Sequence, residues 1–303
     1  MKRFLHLGSF AVVIAAILWS CDGLLRRQLF NLPATVIVFW EHVVGLLVLL
    51  PIVGTSWRKL LKLTRKQWFT IASVSLLSGA LGTIMYTAAL SKVQFIPFSV
   101  VVLLQQLQPV FAIAAASIIL KEPLSRKFIL LAILALIAAY GVSFPNLKVN
   151  LETGSGTAIA ALLAAGAAAA WGFSTALSKY SLRDTSFLHV TAARFALAPV
   201  FAFMFMTVLG DTSSMGSITG MQWGYIIAIT FSTGMVALAL YYFGLKRILA
   251  SRSTMLELVW PLSSLVVGYA LLHDRLTITQ GISAVLLLVV ILAIGKMSAD
   301  KPL

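Results

Sequence analysis

The sequence predicts an all-α integral membrane protein, with ten transmembrane helices in two inverted five-helix repeats. Three observations carry that expectation. Hydrophobic residues make up 60% of the 303 and charged residues only 11%, with mean hydropathy +0.99. A soluble domain carries roughly 25% charged residues, so this chain has too little polar surface to face water. Ten apolar runs are each long enough to cross a hydrocarbon core of ~30 Å, which takes about 20 helical residues. Finally, unusual residues recur 152 positions apart: Trp19 and Trp171, His42 and Arg194, Pro109 and Pro261, Glu122 and Asp274.

The first run, 7–25, follows Lys2 and Arg3. A basic start before an apolar run also fits a signal peptide, and Leu18-Trp19-Ser20-Cys21 has the outline of a lipoprotein cleavage box. Bulky Trp19 beside the scissile bond, and a helix at the same place in the second copy, favour a retained helix. Runs 36–53, 68–90, 98–120 and 128–144 complete the first copy, residues 1–150. The stretch 145–156, rich in Pro, Asn, Gly and Ser, reads as the linker. Runs 157–177, 187–209, 223–245, 254–272 and 278–295 form the second copy, residues 151–303. None of the segments shows the ten-residue alternation of a membrane β-strand. Gly79, Gly82, Ala88, Ala89, Gly166 and Gly172 are placed to let helices approach closely.

Lysine and arginine set the orientation. With the N-terminus inside, 17 of them fall in inside segments and 5 outside, while Arg194 lies within a run. The positive-inside rule then puts both termini in the cytoplasm, in the cell (inner) membrane. The same rule accounts for the formal net charge of +14, so nucleic acid is not an expected partner. Five helices per copy is an odd number, so the second copy enters the membrane upside down. Such inverted repeats are a transporter architecture, with the site near the midplane where the copies meet.

Two five-helix repeats, each with a Trp in its first helix and a Pro inside its fourth, and an acidic turn such as Lys121-Glu122-Pro123-Leu124-Ser125 before the fifth, resemble the EamA branch of the drug/metabolite transporter superfamily. Ala193-Arg194-Phe195 is similar to the Arg-Phe of that family's second helix. The first copy departs there, with Glu41-His42. The resemblance spans almost the whole chain. It implies secondary-active transport of a small metabolite by alternating access, without naming the cargo.

Ionisable groups inside a membrane are costly, roughly 2.5–3.5 kcal/mol each on the insertion scale. Asp22, Glu41, His42, Arg194 and Glu257 are such groups. Asp22 has Arg26 four residues later on the same helix face. Arg194 and Glu257 fall at similar depth and are expected to pair, either locking the fold or gating the inner mouth. Glu41 has no near base except His42, or Arg27 across the first outer turn. A lone carboxylate there favours an amine, a quaternary ammonium or an amino acid as cargo, with protons as the candidate coupling ion. Asp22, His42, Arg194 and Glu257 are therefore the candidate coupling or gating residues.

Pro109 and Pro261 remove the helical bonds to the carbonyls of Gln105 and Glu257. Each copy is thus expected to expose a carbonyl at mid-depth, with Gln105 and Gln108 leaning toward the site. Trp19, Trp171, Trp260, Tyr86 and Tyr241 form either an aromatic cage, which binds cations at ~0.5–2 kcal/mol per contact or stacks on aromatic solutes, or ordinary packing. Trp40, Trp57, Trp68 and Trp223 suit packing and interfacial belts. The candidate substrate-binding set is Trp19, Glu41, Tyr86, Gln105, Gln108, Trp171, Tyr241 and Trp260.

An enzyme is not expected. Asp22-Gly23 with Arg27 opens like a CDP-alcohol phosphotransferase motif, but Val36 stands where a Gly is needed and the two further Asp are missing. Zinc-protease spacing, a phosphate loop and a serine elbow are absent. Cys21 is the single cysteine, so no intrachain disulfide or Cys-based metal site can form, and no cofactor is expected. The rival class is a flippase or carrier of lipid-linked or nucleotide-sugar-like amphiphiles. A groove open to lipid would favour it; a closed polar cavity would favour a small solute. The expected partners are a small-molecule substrate and the lipid bilayer.

Overall fold

The structure is a computed structural model that describes residues 2–92, 100–149, 157–272 and 277–297. The turn around Arg275 and Asp274, and most of the expected linker, lie outside them. Every regular element among the described residues is helical. Nine stretches there, from Leu7–Leu29 to Ile278–Lys296, are long and apolar enough to cross a membrane.

In chain order, α1 is Lys2–Trp19, continued after a turn by Asp22–Arg26. Then come α2 (Ala34–Leu60), α3 (Arg65–Lys92), α4 (Val100–Gln105 and Gln108–Ile119) and α5 (Arg126–Ser143). They are followed by α6 (Thr157–Ser181), α7 (Phe187–Val208), α8 (Gly220–Leu245), α9 (Ala250–Leu256 and Val259–Leu272) and α10 (Ile278–Lys296). Run 254–272 thus appears as part of a broken helix rather than one continuous span.

The breaks follow from proline. Pro109 and Pro261 cannot donate to the carbonyl four residues back. In α9 the chain tightens instead, and the Trp260 N–H takes the Glu257 carbonyl at 2.8 Å. The expected free carbonyl at Glu257 is therefore corrected: a tighter i→i+3 turn uses it. In α4 the turn at Gln106–Leu107 is closed the same way, by bonds back to Leu103 and Leu104 at 3.1 Å each.

Helices α3 and α8 share a different irregularity. Each begins with a threonine capping box, Thr64 with Gln67 and Thr219 with Gln222. Each then widens into a π segment, Ser75–Leu81 in α3 and Thr230–Gly234 in α8. A π turn displaces a carbonyl from the α-helical ladder, and such bulges gather at functional sites.

Packing joins the first five helices to the last five. Helix α2 lies on α7, α5 on α10, α1 on α8, and α3 and α4 on α6. Small residues make the contacts: Ala15, Ala16, Ala115, Ala116, Ala138, Ala139 and Ala237 are buried, as close helix approach in lipid requires. A Cβ added at Gly82 would come within 2.8 Å of the Trp171 indole nitrogen, so glycine there is what admits the ring. Large apolar side chains such as Leu130, Leu162, Val208 and Ile278 point outward, where lipid is their natural solvent.

Two polar clasps hold helix ends. Lys179 donates to the carbonyls of Leu245, Lys246 and Ile248 at 2.8, 3.1 and 2.7 Å, closing the C-terminus of α8. Glu122, from the acidic turn before α5, accepts from the backbone N–H groups of Ala250 and Ser251 at 2.7 and 2.9 Å and from the Ser251 hydroxyl at 2.6 Å. It thereby caps α9 from the other half of the chain. Glu122→Ala should lower the apparent melting temperature of purified protein by several degrees, for a loss on the order of 2 kcal/mol. An unchanged melting temperature would show that the cap contributes nothing.

Candidate functional site

The helices line a cavity of about 220 Å³. All eight residues expected to bind substrate and all four expected to couple or gate lie on its wall. The expected Arg194–Glu257 pair does not form, and Glu41, expected to lack a base, has one.

The aromatic wall is built by exchange between halves. The Trp19 indole, at the end of the first segment of α1, donates to the Thr233 carbonyl in the π segment of α8 at 2.9 Å. Its ring meets Tyr241 at 5.1 Å and 57°. The Trp171 indole, in α6, donates to the Ser78 carbonyl in the π segment of α3 at 3.3 Å, and its ring meets Tyr86 at 5.1 Å and 55°. Tilted pairs at this spacing are the favoured aromatic geometry. The turn after Trp19 frees its own carbonyl, and the Trp260 indole donates to it at 3.3 Å.

On one side of these rings sits a charged cluster. Arg26 donates through Nε to Asp22 at 2.5 Å, through Nη2 to Glu41 at 2.8 Å and through Nη1 to Thr87 at 3.3 Å. Thr233 donates its hydroxyl to the other Asp22 oxygen at 2.5 Å, and Thr230 donates to the Glu41 backbone carbonyl at 3.2 Å. All three ionisable side chains are buried. The i,i+4 pair of Asp22 and Arg26 stands as expected. Glu41 does not: it has a base, and that base is Arg26, while Arg27 is exposed. The guanidinium is a fork wide enough to serve two carboxylates at once.

His42 does not face Glu41. Its Nδ1 donates to the Val38 carbonyl at 2.8 Å, and its ring lies 5.1 Å from that of Phe195 at 33°. Arg194, the residue 152 positions on, bonds the Tyr242 hydroxyl at 3.0 Å. The same hydroxyl meets Ser178 at 3.1 Å. Arg194 and Glu257 make no ion pair; the acid instead accepts from Gln108 at 3.0 Å, with the Tyr241 hydroxyl near it. The expected pair fails because Arg194 turns to the α8 tyrosine and Glu257 to the α4 glutamine. Gln105 donates to the Ala164 carbonyl at 2.8 Å, so it fastens α4 to α6 while its side contributes to the wall.

Several wall residues escaped the sequence reading, among them Ser174, Thr233, Tyr242 and Thr254. A signal for the first was present. The 152-residue offset maps Asp22 onto Ser174 and Arg26 onto Ser178. For α3 and α8 the offset is 155, relating Trp68 to Trp223, Ser78 to Thr233 and Tyr86 to Tyr241; a single fixed offset hides these pairs.

Helices that suit a membrane, wrapped round a polar and aromatic cavity, define a multi-pass membrane transporter. The sequence matches the EamA-like transporter family over residues 6–144 and 158–295. The chain belongs to that family, and it is a transporter rather than an enzyme. It is 33% identical over 293 residues to the riboflavin transporter ImpX of Fusobacterium nucleatum subsp. nucleatum, covering 96% of this chain and 98% of that one. It is 27% identical over 258 residues to the uncharacterized transporter sll1164 of Synechocystis sp., covering 80% and 70%. A solved crystal structure with 17% identity superposes with a TM-score of 0.73, over 97% of this chain and 99% of its own; that likeness concerns the fold.

The contacts make a stability prediction. Arg26→Gln leaves two buried carboxylates facing each other and should cost on the order of 3–5 kcal/mol. Adding Glu41→Gln should recover part of that loss in the apparent melting temperature, whereas Arg194→Gln and Glu257→Gln should be additive. Additivity at Arg26 and Glu41, or coupling at Arg194 and Glu257, would contradict the arrangement.

Proposed function

We propose that the protein is a secondary transporter for a neutral, planar aromatic solute carrying polar groups, of the riboflavin class. The observation that carries this reading is the pair of Trp–Tyr walls, Trp19 with Tyr241 and Trp171 with Tyr86, on one cavity. Facing aromatic walls bind a planar ring by stacking. The relative named as a riboflavin transporter supports it, since the alignment spans nearly both chains.

The alternative cargo, an amine or amino acid held by Glu41, rested on that carboxylate lacking a base. Arg26 supplies one at 2.8 Å, so the charge that would attract a cation is already matched. A flippase needs a groove open to lipid; the buried Asp22, Arg26 and Glu41 on this wall support a solute.

In this reading the chain crosses the cell (inner) membrane ten times, as two inverted halves, residues 1–150 and 151–303, with both termini cytoplasmic. The broken α9 supplies the tenth crossing. The paired π segments, the paired helix breaks and the exchanged Trp contacts are what two inverted copies would produce. Alternating access then rocks the halves about the cavity. The Asp22–Arg26–Glu41 cluster is the coupling site. It holds two carboxylates against one permanent cation, so uptake of a proton would neutralise it. His42, Arg194 and Glu257 serve the wall and its gating.

Riboflavin titrated with purified protein should lose fluorescence saturably as its ring stacks. Trp19→Ala and Trp171→Ala should each weaken binding about tenfold, on the order of 1.4 kcal/mol. No saturable quenching, together with a rise in melting temperature on adding amino acids or amines, would overturn the reading.

A further inference from the structure

The polar groups round the cavity divide unequally. Those of the first half are matched: Asp22, Arg26 and Glu41 bond one another, and Thr233 completes Asp22. Those of the second half are matched only in part: Arg194 Nη1 bonds the Tyr242 hydroxyl and Glu257 Oε2 accepts from Gln108. Ser174 Oγ, Arg194 Nε and Thr254 Oγ1 are buried atoms on cavity-lining residues that have no hydrogen-bond partner among the described residues, and Glu257 Oε1 has none beyond the neighbouring Tyr241 hydroxyl. Ser174 and Thr254 are 1% and 0% exposed, so bulk water does not serve them. A buried polar atom left unmatched costs free energy, and few are tolerated without a purpose.

These four come from three helices, α6, α7 and α9, so they spread along one wall instead of converging on a point. Their chemistry is mixed. The guanidinium only donates, the carboxylate only accepts, and the two hydroxyls do both. A chain of hydroxyls satisfies all of them, since each alcohol both donates and accepts. A lone ammonium would answer Glu257 and leave Arg194; a lone carboxylate would do the reverse.

We infer that the second-half wall of Ser174, Arg194, Thr254 and Glu257 is a polyol subsite, which holds the hydroxylated chain of a substrate whose ring lies between the Trp–Tyr pairs. This rests on the proposed riboflavin-class cargo and adds to it a place for the ribityl chain and the residues that select for it.

The test compares riboflavin with lumiflavin, the same ring bearing a methyl in place of the ribityl chain, by fluorescence quenching with the purified full-length protein. Wild type should bind riboflavin at least tenfold more tightly. Ser174→Ala and Thr254→Val should each cut that ratio several-fold, with lumiflavin affinity as the control that the ring site and the fold persist. Equal wild-type affinities, or a ratio unmoved by both substitutions, would overturn the polyol subsite while leaving flavin transport standing. Binding of neither flavin would overturn the proposed cargo and the subsite with it.

Discussion

Two indole hydrogen bonds, exchanged between the halves of the chain, set the form of this cavity. Trp19 reaches the π segment of α8, and Trp171 reaches the π segment of α3. Both elements of each contact are needed. An unbroken α-helix would keep its carbonyls in its own ladder and have none to offer at mid-membrane. The π turns present one on each side: the Thr233 carbonyl accepts from the Trp19 ring, and the Ser78 carbonyl accepts from the Trp171 ring and from the Thr83 hydroxyl at 2.8 Å. The tyrosine one or two turns further along each helix then meets the same ring. One backbone irregularity therefore produces a helix contact, an aromatic wall and a cavity boundary.

The charges are arranged around that frame. Burying Arg26 with two acids is tolerable because five donors can be distributed over Asp22, Glu41 and Thr87. Glycine makes the room: a Cβ at Gly234, in the α8 π segment, would stand 3.1 Å from a Glu41 oxygen, and one at Gly79, in the α3 segment, 2.8 Å from Ala198 Cβ, with Arg194 Nε beside it at 3.5 Å. The two π segments thus cradle a charge from the opposing half, an acid in one case and a base in the other. The sites have equivalent positions and opposite charge, and the cavity has one face whose charges pair with each other and one whose charges meet only neutral partners.

Much of this was legible in the sequence, for identifiable reasons. Apolar length gives the helices directly, since lipid forbids unpaired backbone. Ionisable residues in such runs are conspicuous because they are expensive, and so Asp22, Glu41, His42, Arg194 and Glu257 stand out and do line the cavity. Partner choice was not legible. Whether Glu41 meets Arg26 or Arg27 depends on where the turn after Trp19 rotates α1, and the sequence carries no sign of that angle. Arg194 and Glu257 share a depth, but depth says nothing of direction around the bundle. The free carbonyls were sought at Pro109 and Pro261, where the rule for proline puts them; the Glu257 one is taken by a tightened turn. The carbonyls that matter, of Ser78 and Thr233, lie in π segments that no proline or motif announces.

The exchanged indole bonds are the central claim, and hydrogen exchange at the tryptophan ring nitrogens tests it most directly. With indole-¹⁵N labelling, and Trp→Phe variants for assignment, the Nε1–H signals of Trp19 and Trp171 should both persist in deuterated buffer far longer than free indole. Each should also weaken when the opposing π segment is shortened by one residue. Exchange of either ring at the free-indole rate would mean that it hangs in the cavity unbonded, and the account of how the two halves hold the site would be wrong.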